Sequence, residues 1–194
     1  ISALEKESPQ TKLFLDGVQA IGKLKIDPEM WKGLAGYSIS GHKIHGPKGI
    51  GLLVYNSKLV LNTQMHGGKQ QLGVRSGTLP SPLIVGLATA VKQAVEQTEQ
   101  TQKHLQGLCH HLVQGLKTIQ ERLNELKIQF NSLINTDVMS QSPGIVNFSF
   151  PPVEGEVILH HLETKDIFVG LGSACSAKSK APSRILIGMG LSEN

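Results

Sequence analysis

The sequence predicts an α/β fold, and three observations carry that expectation. The first 80 residues hold short apolar runs separated by Gly- and Pro-containing turns, the texture of buried strands. At Ser81 the texture changes to apolar residues at helical spacing, sustained to about Leu126. From residue 145 short runs return, interleaved with another helical segment. A chain of 194 residues suits one domain or slightly more. Its 39% hydrophobic content is enough for a core and too high for disorder.

TKLFLD (11–16) reads as a buried strand ending at an Asp, and VQAIG (18–22) as a turn into a loop. PEMWKGLA (28–35) reads as a short helix, with Asp27 as its cap and Pro28 where no N–H is needed. YSISG (37–41) and IGLLVY (50–55) read as a second and a third buried strand. Ser81-Pro82 reads as a helix start by the same capping logic. The stripe behind it runs Ile84, Leu87, Ala88, Val91, Val95, Thr98, Leu105, Leu108, Leu112, Leu116, Ile119 and Leu123. An unbroken helix of about 45 residues would span roughly 68 Å, more than one small domain. The helix therefore either breaks or joins two lobes, and the polar stretch EQTEQTQK (96–103) is the expected crossing point. IVNFSF (145–150) reads as a strand closed by Pro151-Pro152, Glu154 to Lys165 as a helix with Val157, Ile158, Leu159 and Leu162 inward, and IFVG (167–170) as a strand. A loop of small residues and Lys, GLGSACSAKSKA (170–181), precedes a helix opening at PSRILIGMG (182–190). The expected division is 1–80, a linking helix at 81–105, and a smaller lobe at 106–194.

Composition excludes several function classes. Lys+Arg exceed Asp+Glu by four (19 against 15), but the cations are scattered rather than striped, which argues against nucleic-acid binding. No apolar run approaches the length of a membrane span. Two cysteines exclude a disulfide scaffold and fit a reducing compartment, hence the cytoplasm. No signal peptide is legible in ISALEKES, and the lack of an initiator Met suggests a fragment of something larger. His110-His111 and His160-His161 are adjacent pairs that project to different helix faces, so no metal site is expected.

The most informative segment is SISGHKIHGPKGIGLL (38–53), a strand followed by a Gly/Pro loop. Gly41, Gly46, Gly49 and Gly51 allow tight bends and close approach to a ligand. Lys43 sits where a strand hands over to a loop, the usual place for α/β active sites. A desolvated Lys there can form a Schiff base. Cys175 lies among small residues, with Lys178 and Lys180 placed to favour its thiolate. Cys109 falls on the apolar stripe and reads as core.

SGHKIHGPKGIG resembles the pyridoxal-phosphate lysine motif of class V aminotransferase-like enzymes, and more narrowly that of the NifS/IscS-like cysteine desulfurases. DGVQAIGK (16–23), HGGKQQLGVRSGT (66–78) and GSACSA (172–177) agree with that family in the same order. The resemblance implies a fold type I pyridoxal-phosphate enzyme: part of the large cofactor domain, then a small α/β lobe. It implies that Asp16 pairs with the ring nitrogen, which needs a carboxylate to stay protonated, and that Gln19 bonds the ring hydroxyl. Ser40 and His42 match the phosphate-holding residues, and their donors near a Gly-rich turn suit a phosphate independently. Thr78 matches a residue that reaches the partner subunit's phosphate, which implies a homodimer. The implied reaction converts L-cysteine to L-alanine. Lys43 shuttles protons, and Cys175 takes the sulfur as a persulfide for an acceptor protein in iron–sulfur cluster assembly or in thiolation of tRNA or cofactors. The rivals are a selenocysteine lyase, another class V aminotransferase-like enzyme, or a catalytically incomplete fragment. Lys69, Leu72 and Leu171 depart from the family pattern, and His45 has no derived role.

Overall fold

A computed structural model describes residues 6–8, 10–127, 142–150, 153–172 and 187–188. Three strands form one sheet: β1 (Phe14–Asp16), β2 (Gly36–Ser40) and β3 (Gly51–Tyr55), in that spatial order. β1 and β2 are parallel, with Asp16 opposite Ser38. They are joined through α1 (Pro28–Gly33), which forms where the sequence places it: the Asp27 carboxylate accepts from the Glu29 N–H at 2.9 Å, and Pro28 opens the first turn. β2 and β3 are antiparallel, with Ser40 opposite Gly51, so residues 41–50 form a long reversal between them.

β2 is the central strand and supplies Tyr37 and Ile39 to a core with Ile21, Leu34, Ile44, Leu87 and Ala90. Burying each large aliphatic side chain there contributes about 1.5–3 kcal/mol relative to exposure. The Trp31 and Tyr37 rings lie 5.1 Å apart at 56°. Gly17 is required at the turn after β1, because a methyl there would land in the Tyr37 ring.

The expectation of three buried strands needs correction. Only β2 is mostly buried: β1 is short, and Leu52, Leu53 and Val54 of β3 are exposed. The physical reason is position. β2 has a neighbour on each side, whereas among the described residues β3 has one neighbour and little cover on either face.

The long helical segment is two helices, α2 (Ser81–Glu96) and α3 (Thr98–Glu125). The break falls at Gln97 (φ −95°, ψ 2°), inside the polar stretch where the sequence suggested it. The Thr98 hydroxyl donates to the Ala94 carbonyl at 2.8 Å, competing with the helical ladder at that point. Ser81 is not the cap: the cap position is Pro80, without a side-chain bond, and Ser81 lies in the first turn. The apolar stripe is only partly covered. Of its residues Leu87 and Leu116 are buried, while Ile84, Val95, Leu108, Leu112 and Ile119 are exposed; the buried Ala90 and Val113 lie off the expected stripe.

The chain divides into two compact units, Ile1–Gly107 with Met139–Gly144 and Leu108–Val138 with Ile145–Asn194. In the second unit α4 (Gly155–Glu163) forms close to its expected bounds, with Val157 exposed rather than inward. Residues 145–150 and 167–170 form no strand, contrary to expectation. A strand needs a ladder partner, and among the described residues neither has one. Ile187 and Gly188 are helical; the rest of the helix expected at 182–190 lies outside the described residues. Among the described residues no helix is long and apolar enough to cross a membrane.

Candidate active site

The parallel pairing of β1 and β2 brings two sequence-distant motifs together. Asp16 ends β1 and Ser40 ends β2, both at the carboxyl ends of neighbouring parallel strands. In open α/β sheets that edge is where ligands bind. Side chains alternate along a strand, so Asp16, Ser38 and Ser40 share one face, opposite the one that carries Tyr37 and Ile39 into the core.

Asp16 is held by two donors on one oxygen. Its Oδ1 accepts from the Ser38 hydroxyl and from the Val18 N–H, each at 3.1 Å. Among the described residues Oδ2 has no hydrogen-bond donor, so the carboxylate is oriented yet keeps an acceptor. Ser38 is a residue that the sequence reading missed. Its signal is register, because a residue two positions before Ser40 must face the same way. Asp16 also acts on Tyr37, whose phenol is pushed above its ordinary range first by burial and second by the nearby negative charge.

Gln19 stands in the turn after β1, where Lys23 Nζ donates to its Oε1 at 2.8 Å. That bond leaves the Gln19 amide N–H groups as donors. Ser40 Oγ and His42 Nδ1 lie 2.9 Å apart. Whichever of the two donates, the pair keeps one further N–H or O–H donor.

Lys43 closes the short 3₁₀ turn Gly41–Lys43 directly after β2. The Gly41 N–H donates to the Ile50 carbonyl at 3.0 Å, tying the turn to the far side of the reversal. A Cβ on Gly41 would lie 2.9 Å from the Pro47 carbonyl oxygen, so this cradle admits only glycine. The Lys43 side chain is exposed.

Thr78 is exposed, and among the described residues no hydrogen bond ties it to this cluster. Its motif folds back on itself. The Thr63 hydroxyl donates to the Gly73 carbonyl, the Ser76 hydroxyl to the His66 carbonyl, and the Gly77 N–H to Gln70 Oε1. Leu72, a departure from the family pattern, has φ 58° and is 92% exposed. Cys175 lies outside the described residues. Cys109 is half-buried on α3 with a free thiol. Among the described residues no three His, Cys, Asp or Glu side chains cluster to hold a metal.

Residues 1–191 match the Aminotransferase class-V family. The chain belongs to the aminotransferase class-V family. The cysteine desulfurase IscS of Aeromonas salmonicida (strain A449) is 39% identical over 183 residues, 93% of this chain and 42% of the relative. A solved NifS-like protein superposes with a TM-score of 0.79 at 30% identity, covering 98% of this chain and 46% of the other. SspA, solved in complex with cysteine, matches with a TM-score of 0.61 at 30% identity, covering 100% of this chain and 50% of the other. The chain thus spans about half the length of these relatives or less. Its fold is α/β, of the type I pyridoxal-phosphate class that this family shares. The residues present fit that cofactor. Among the described residues they offer an oriented carboxylate with an oxygen that accepts no bond, amide donors, a Ser–His donor pair at a glycine cradle, and an exposed Lys after the end of the second strand.

Proposed function

We propose that the chain carries the cofactor and sulfur-relay residues of a cysteine desulfurase. The observation that carries this reading is the convergence of Asp16, Ser40, His42 and Lys43 at the ends of two adjacent parallel strands. The cysteine desulfurase relatives, and the relative solved with cysteine, support L-cysteine as substrate.

Pyridoxal phosphate, when bound, supplies an electron sink for bond breaking in an amino acid. Asp16, oriented by Ser38, would hold the ring nitrogen, and Gln19 would donate to the ring hydroxyl. Ser40 and His42 hold the phosphate. Lys43 would hold the cofactor through its Nζ and move protons at that atom. The Cys175 thiolate attacks the substrate sulfur. The electron pair of the broken carbon–sulfur bond stays with carbon, which takes a proton and becomes the methyl of alanine. Cys175 keeps a persulfide for an acceptor protein serving iron–sulfur cluster assembly or thiolation of tRNA or cofactors.

Thr78, exposed and, among the described residues, without a hydrogen bond to the cluster, serves the phosphate of a second copy, so the active form is a homodimer; two cysteines in 194 residues fit a reducing compartment and support a cytoplasmic location. The division after Gly107 supports starting the small lobe, 106–194, near that point; 1–80 is then part of the cofactor domain, and the link expected at 81–105 is α2 with the first residues of α3. The test is chemical. Incubation with pyridoxal phosphate, borohydride reduction and peptide mapping place the pyridoxyl group on Lys43. A label concentrated on another Lys overturns the assignment.

A further inference from the structure

His45, two residues past Lys43, has no part in the chemistry above. Its backbone has φ 62°, in the left-handed region that few non-glycine residues adopt. The neighbouring bonds show what that conformation accomplishes. The Gly41 carbonyl accepts from the Ile44 N–H at 3.1 Å and from the Gly46 N–H at 2.9 Å. The second bond runs from the sixth residue back to the first, with the left-handed residue fifth. That arrangement closes helix C-termini, and its fifth place is usually glycine. The 3₁₀ turn ending in Lys43 therefore terminates in a cap whose reversal occurs at His45.

Beyond His45 the loop is clamped from outside. A Cβ on Gly46 would lie 3.0 Å from the Ala90 Cβ, and one on Gly86 would lie 2.6 Å from Pro47 Cγ, so the segment packs directly on α2. Before His45 the turn is anchored by the Gly41–Ile50 bond. The reversal at His45 is thus the junction between the clamped segment and the turn that presents Lys43. The imidazole is exposed and, among the described residues, has no hydrogen bond.

We infer that His45 is a positioning residue for Lys43. Its left-handed backbone, not its imidazole, closes the turn and sets where the Lys43 side chain begins. The inference rests on the reading of Lys43 as the cofactor lysine.

The test uses His45→Gly, His45→Asn and His45→Val in the 194-residue chain. Gly and Asn accept the left-handed region, and a β-branched residue resists it. The first readout needs no cofactor: hydrogen exchange of the Gly46 amide. His45→Gly and His45→Asn keep its protection, and His45→Val speeds exchange about tenfold. The second readout is the ratio of pyridoxyl label on Lys43 to that on Lys48, an exposed Lys in the same reversal, after borohydride trapping. It holds in the Gly and Asn variants and falls about fivefold or more in His45→Val. Unchanged exchange and ratio in His45→Val overturn the inference. So does a lost ratio in His45→Gly and His45→Asn with Gly46 still protected, which would assign the role to the imidazole. Absence of label on Lys43 in the unaltered chain overturns the cofactor reading itself, whereas a normal label that His45→Val does not reduce overturns only the role of His45.

Discussion

Gly86→Ala sets two effects of known size against each other. In an open helix interior, replacing Gly by Ala stabilises by about 1 kcal/mol, because alanine loses less backbone entropy on folding. Gly86 lies within α2, but its site is not open: an added Cβ would sit 2.6 Å from Pro47 Cγ and 3.1 Å from Pro47 Cδ. A pyrrolidine ring cannot rotate away, so the reversal carrying Lys43 or the helix itself must shift by several tenths of an ångström. Overpacking of that kind costs typically 1–3 kcal/mol. The net expectation is destabilisation by about 1 kcal/mol. Gly107 is the control, since it is helical, lies in the same unit and has nothing within 4 Å of the added Cβ. Gly107→Ala therefore stabilises by about 1 kcal/mol, and the two variants differ by about 2 kcal/mol. With a denaturant slope of about 2 kcal/mol per molar urea, their unfolding midpoints separate by about 1 M. Equal stabilisation by both substitutions would refute the claim that α2 presses on the Lys43 reversal.

Four further outcomes follow from the site and its supports. Cys175→Ala leaves the pyridoxyl label on Lys43 unchanged and abolishes persulfide formation, read by mass spectrometry, while Cys109→Ala leaves both intact and costs at most about 1 kcal/mol in urea unfolding. Ser38→Ala frees Asp16 Oδ1 from one of its two donors and weakens pyridoxal-phosphate binding in a fluorescence titration, whereas Ser38→Thr, which keeps the hydroxyl, restores it. Asp27→Ala removes the α1 cap and lowers stability by about 1 kcal/mol in urea unfolding. The Tyr37 phenol is raised in the folded state, so the folded chain holds that proton more tightly. The resulting stability is fully present below pH 10.0 and is lost as pH rises through the folded value, and the Tyr37→Phe variant lacks that component in urea midpoints measured across this range.

Legibility differed from residue to residue. The Asp27 cap and the break near Gln97 were readable because both depend on a few neighbouring residues: a carboxylate beside a Pro, and a polar run interrupting an apolar period. Lys43 was legible for the same reason, its motif being continuous. Ser38 was not, because its partner Asp16 is 22 residues away and meets it only through strand register. The strand expected at 145–150 and the inward Val157 were misread because local pattern names a face without saying whether anything covers it.

The amino-acid sequence alone thus determined the order of motifs, the approximate positions of the helices and the chemical types at the site, all of which short-range sterics and hydrogen bonding decide. Tertiary structure decided the rest. Among the described residues it made β2 central and β3 an edge, turned Gly86 into a contact with Pro47, and brought the Asp16 and Ser40 ends of two strands side by side. Those outcomes depend on which distant segment packs against which, and pairing between strands separated by an intervening helix is written in no single stretch of chain.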